Sequence, residues 1–170
     1  LLFNPERTSK AVRPDSKDRD EMRPVEVDQL SKVRPCVPHV LAMIICDMVI
    51  DDRISGKKSL IGLFDAIATT DLPCVVNELH VFLALTEGYG TVKLRLRCTH
   101  AAQDEELFST VQEVRFPDPL AVVEINMGFC GCEFPEPGEY RFQLYAGNTL
   151  LCERKFHITL VEECELETAE

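Results

Sequence analysis

No block of clustered lysine and arginine occurs in this 170-residue chain, whose 29 Asp and Glu outnumber 18 Lys and Arg for a formal charge of −11. Neutralising phosphates needs such a block, so nucleic acid is excluded as a partner. No apolar run reaches the roughly eighteen residues of a membrane-spanning helix, so no membrane role is expected. The motifs that announce chemistry are missing too. There is no Gly-x-Ser-x-Gly elbow, no Cys-x-x-Cys, and no two of His39, His80, His100 and His157 stand at strand or helix spacing. Gly56-Lys57-Lys58-Ser59 ends like a phosphate-binding loop, but Asp51 stands where the first glycine is needed and Lys58 displaces the serine. No stretch holds a helical period over ten residues.

What is present divides near residue 40. Residues 1–40 carry eight Lys/Arg, seven Asp/Glu and five of the ten prolines, with Phe3 their one aromatic. Such a stretch buries too little apolar surface to offset its ordering entropy, so residues 1–39 form a disordered N-terminal tail. A helical turn over residues 26–33 would be bracketed by Pro24 and Pro35. The chain begins at Leu1 and its first methionine is Met22, which leaves a fragment, a non-Met start codon or initiation at Met22 open. The N-terminus shows no charged-then-apolar leader, so a cytoplasmic protein is expected. Residues 162–170 hold five glutamates and read as a solvated acidic tail.

Residues 40–161 have the texture of a β domain. Eight strands are expected, over 40–50, 59–69, 78–86, 91–100, 107–116, 120–134, 140–146 and 149–160. Val92, Leu94, Leu96 and Cys98 alternate with Lys93, Arg95, Arg97 and Thr99. Tyr140, Phe142 and Leu144 alternate with Arg141 and Gln143. That period of two defines a half-buried antiparallel strand. Gly147-Asn148 fits a two-residue hairpin, since both residues tolerate positive φ.

Pro137-Gly138-Glu139-Tyr140-Arg141-Phe142 sets a tyrosine at a strand start with a core position two residues on. This is the pattern of the tyrosine corner of immunoglobulin-like sandwiches, with Phe142 where antibody domains carry cysteine. The expected fold is therefore all-β, an immunoglobulin-like antiparallel β-sandwich of seven to nine strands. Several blocks resemble an uncharacterised bacterial domain family. They are Ile45-Cys46-Asp47, Lys57 through Asp65, Leu72-Pro73-Cys74, Phe134 through Tyr140, and Leu144 through Leu151. The resemblance spans about residues 40–158 and implies a compact β-sandwich of unknown function. It carries over no site residues.

Eight cysteines stand at 36, 46, 74, 98, 130, 132, 152 and 164. Without a leader a disulfide framework is not expected, and Cys46, Cys98 and Cys152 fall inside apolar strands as small hydrophobes. Cys130-Gly131-Cys132 is the one chemical-looking pair, since i and i+2 of a strand share a face and could meet one soft metal. In strict phase both would be exposed; a bulge at Gly128 or Gly131 would turn one inward. Calcium is a weaker alternative. In an up-and-down order Asp51-Asp52 and Asp118 fall at one end, Asp104-Glu105-Glu106 at the other, and the ligands are split. Asp47 and Asp65 interrupt hydrophobic runs and are expected on an exposed face or at a bulge.

The leading expectation is a non-catalytic binding or assembly module with an unknown protein partner and no cofactor. Its preferred contact is Tyr89 in the turn Glu87-Gly88-Tyr89-Gly90. The alternative is a metal- or redox-active protein using Cys130 and Cys132, and a hydrolytic enzyme ranks last.

Overall fold

The computed structural model describes residues 37–162. The expectations for the N-terminal tail up to residue 36, for the turn at 26–33 and for the acidic end beyond Glu162 lie outside the described residues. So do Cys36 and Cys164.

The domain is all-β: β1 (His39–Asp52), β2 (Lys57–Leu63), β3 (Ala66–Thr69), β4 (Cys74–Thr86), β5 (Gly90–His100), β6 (Glu106–Phe116), β7 (Val123–Phe134), β8 (Gly138–Ala146) and β9 (Thr149–Leu160). They form a four-stranded sheet in the order β2-β1-β4-β7 and a five-stranded sheet in the order β3-β9-β8-β5-β6. The row β9-β8-β5-β6 reproduces the G-F-C-C′ order of an immunoglobulin sandwich, and β1-β4-β7 the A-B-E order. The corner tyrosine completes the match. Tyr140 is fully buried, and its hydroxyl donates to the Glu136 carbonyl at 2.6 Å.

The alternating residues read from the sequence make the core. Leu94, Leu96, Cys98, Tyr140, Phe142 and Leu144 are all completely buried, facing Leu79, Val81, Leu83 and Leu85 of the opposite sheet. Antibody domains fill this centre with a tryptophan on a disulfide. This chain has no tryptophan and uses rings instead. Phe134, Tyr140, Phe142 and Phe156 meet one another at centroid distances of 5.0–5.8 Å, within the range where aromatic pairs attract.

One expected strand is two. Residues 59–69 divide into β2, antiparallel to β1, and β3, parallel to β9 in the other sheet. Gly62 takes φ +64°, and the Asp47 side chain occupies the space where a Cβ would stand. Phe64 then still donates its amide to the Ile45 carbonyl, while the Asp65 carbonyl already accepts from the His157 amide. The chain therefore crosses between sheets within two residues. Asp47 and Asp65 flank this crossing and are exposed.

Candidate interaction surface

The Cys130–Cys132 pair does not share a face. Along β7, Ile125, Met127 and Phe129 point inward and Cys130 is exposed, but Cys132 and Phe134 are buried again. The phase changes at Gly131, whose φ is +64°. The neighbouring strand β4 changes phase at the same level, between Val76 and Leu79, so the two strands kink together and pairing is kept. Burial, and then the nearness of Cys130, pushes the Cys132 thiol up to about 11. Burial likewise raises Cys98 and Cys46, and takes Cys152 to about 11. A thiol held neutral in this way is a poor nucleophile and a poor metal ligand.

The acidic turns are separate as well. Asp51 and Asp52 lie at the tip of the β1–β2 hairpin, Asp104 in the β5–β6 turn, and Asp118 in the β6–β7 turn at the other end of β6. Asp52 is occupied with its own turn, accepting from the Ile54 amide at 2.9 Å and the Ser55 hydroxyl at 2.5 Å. Those bonds hold its carboxyl below the usual range. Among the described residues no group of three or more His, Cys, Asp or Glu is placed to hold a metal. Tyr89 stands at the β4–β5 turn, 42% exposed, beside Glu87 at φ +61° and a Gly88 packed on the Phe116 ring. It is an exposed aromatic on a well-fixed turn.

The surface that sequence reasoning missed is the β1–β2 hairpin. The last β1–β4 pair is Cys46 with His80, and beyond it the hairpin continues as an arm. Lys58 on the arm pairs with Glu124 of β7 at 3.3 Å. In register, Lys58 stands opposite Asp51, whereas Glu124 aligns through Ala84 with Ala42. Positions 42 and 51 would be roughly 30 Å apart along a straight strand. The arm must therefore fold back over the outer side of its own sheet. Burial agrees: Cys46 (0% exposed) and Phe82 (8%) lie on that outer side, away from the central core cluster, yet both are buried. Beside them His80 bonds Asn126 through Nδ1 at 3.1 Å and Glu78 through Nε2 at 2.9 Å. A Cβ at Gly128 would touch the His80 ring, so the glycine makes room for it.

The arm carries a row of exposed apolar side chains. Met48 (45%) and Ile61 (47%) are cross-strand partners, and Ile50 (45%) and Leu63 (62%) flank them. Val49, Lys58 and Leu60 are partly buried. β2 is also the edge of its sheet, so one side of its backbone is unpaired. Edge strands are commonly guarded by lysine and bulges. Here Lys57 and Lys58 guard the start and Gly62 the end, leaving Ser59, Leu60 and Ile61 between them. The alternation Met48, Ile50 and Ile61, Leu63 around a polar turn was the signal available in the sequence.

A comparison with solved structures finds similarity to the crystal structure of an immunoglobulin-like protein from Pseudomonas aeruginosa. Identity is 18%, coverage is 72% of this chain and 97% of that one, and the TM-score is 0.37. The fold rests on strand order and the tyrosine corner, not on that likeness. No curated protein matches the chain. Residues 41–159 match a family described as a family of unknown function, DUF6941, and the chain belongs to it.

Proposed function

We propose that this domain is a non-catalytic interaction module that binds a partner protein through the β1–β2 arm. The observation that carries the reading is the row Met48, Ile61, Ile50 and Leu63, half exposed on a hairpin whose outer edge is unpaired. Contiguous apolar side chains at a sheet edge suit an extended segment of a partner, added as a further strand. Main-chain hydrogen bonds to β2 would supply register, and the apolar row would supply burial. The turn bearing Tyr89 is a secondary contact in this reading.

A photo-crosslinker installed at Ile61 tests it in the host cell, with one at Thr110 of β6 as the control in the other sheet. A discrete adduct at Ile61, absent at Thr110 and abolished by Leu63→Glu, is expected. Equal labelling at both positions, or none at Ile61, overturns the reading.

A further inference from the structure

On the opposite side of the sandwich, the outer face of the five-stranded sheet holds a cleft of about 210 Å³ lined by Arg95, Arg97, Tyr145, Gly147 and Asn148. We propose that this cleft binds an oxyanion group, a carboxylate or a phosphate. The lining brings two guanidiniums, a phenol and a carboxamide together, with no carboxylate among them, in a chain of formal charge −11. A guanidinium keeps its charge at any physiological pH and has only donors to offer. The carboxylates that meet the pair, Glu106 on Arg95 and Asp104 on Arg97, stand outside the lining and leave part of each fork open.

The arginines are held in place beforehand. Arg97 donates from Nε to Gln143 Oε1 at 2.8 Å, and its Cζ lies 5.2 Å from the centroid of the Tyr145 ring. Gln143 is itself only 7% exposed, and its amide donates to Glu153 at 2.6 Å. The Tyr145 hydroxyl donates to the same Gln143 oxygen at 3.3 Å. A buried amide and an aromatic ring thus fix a side chain that surface arginines ordinarily leave mobile. Arg95 is anchored through one terminal nitrogen to Glu106, which also accepts from Ser109. Asp104 approaches Arg97 at 3.6 Å but is 74% exposed, so a ligand can displace it. The remaining N–H groups of the two forks suit the paired oxygens of a carboxylate or phosphate. Prior fixation lowers the entropic cost of binding. The size suits a charged group, not a whole drug-sized ligand.

The site is independent of the arm, and its test uses the full chain. Inorganic phosphate and N-acetylglutamate are titrated separately at constant ionic strength, against a chloride control, following the arginine Nε–Hε and the Gly147 and Asn148 amide resonances. Saturable shifts with at least one probe are expected, weakened about tenfold or more in Arg97→Gln and again in Arg95→Gln. Arg97→Lys, which keeps charge and loses the fork, is expected to lie between. Saturation by phosphate alone supports the site and assigns a phosphate ligand; saturation by N-acetylglutamate alone supports it and assigns a carboxylate. Shifts that chloride reproduces, or that all three variants leave unchanged with their folds intact, overturn the proposal.

Discussion

The two outer faces of this sandwich solve the same problem in opposite ways. The face of β5, β8 and β9 meets water with charge. Glu139 sits among Arg141 and Lys155, each at 3.0 Å, and His157 at 3.9 Å, while Arg97, Gln143 and Glu153 form a hydrogen-bonded row. The face of β1, β4 and β7 instead carries Cys46 and Phe82, which charge cannot solvate, and the β1–β2 arm folds over them. One face is finished by side chains alone. The other needs a piece of backbone to cover it, and that piece then shows its own apolar side to the outside. The binding hypothesis for the arm and the oxyanion hypothesis for the arginine cleft both follow from this division.

The difference can be broken experimentally, and the largest effect belongs to the covered face. Phe82→Ala should cost about 3–5 kcal/mol in a urea melt, as in a true core. A loss below about 1 kcal/mol would mean that the arm does not make a second core. Next comes alkaline pH. Cys132 and Cys152 ionise near 11 when folded against a reference of 9.0, so unfolded thiols ionise first. The stability they supply is complete below about pH 9 and drains away between 9 and 11. Thermal melts of the reduced protein should show that decline, and Cys132→Ala with Cys152→Ala should lessen it while buried Cys98 and Cys46 sustain the rest; an unaltered slope in the double variant would remove these two thiols as a cause.

A smaller effect is expected at the arm's tether. Lys58→Met removes the partly exposed pair with Glu124, worth at most about 1 kcal/mol, but it should free the arm locally and speed alkylation of Cys46. Peptide mapping after brief labelling reads this out, with exposed Cys130 as the fast internal standard; protection of Cys46 equal to wild type would detach the arm's position from Lys58. Smallest is Glu139→Gln on the charged face. The surrounding cations, Lys155 foremost, hold the Glu139 carboxyl below the usual range. Its contribution is therefore present above the ordinary glutamate range and lost as pH falls through the lowered value. The variant's melting point should differ from wild type at neutral pH in low salt. The two should converge at acid pH and in about 1 M salt. A difference that persists in high salt would show the network to be more than surface electrostatics.

Much of the sandwich was open to reading along the chain. Strands β5 and β8 announce themselves because a half-buried strand must alternate, and Tyr140 because a corner tyrosine needs its own backbone within reach. The turn at Gly147-Asn148 reads the same way, and Gly147 does adopt φ +58°. Each of these rests on residues a few positions apart. The division of residues 59–69 was not open to such reading. Leu60, Ile61, Leu63, Phe64 and Ile67 make one apolar run, and only the Asp47 side chain over Gly62 and the waiting edge of β9 break it between two sheets. The separation of Cys130 from Cys132 was half readable. Gly131 marks the place for a bulge, but its neighbour β4 had to kink at the same level for the pairing to survive.

The arm and the arginine cleft lie beyond local pattern for one reason. Whether Phe82 is wet or dry depends on a hairpin some thirty positions earlier folding back across it, and whether Arg97 is mobile depends on Gln143, 46 residues on. Sequence by itself determined which residues of β5 and β8 alternate, where turns form, and that Tyr140 stands at a corner. Tertiary structure alone decided which faces meet water, because burial and fixation belong to pairs of residues brought together only by folding.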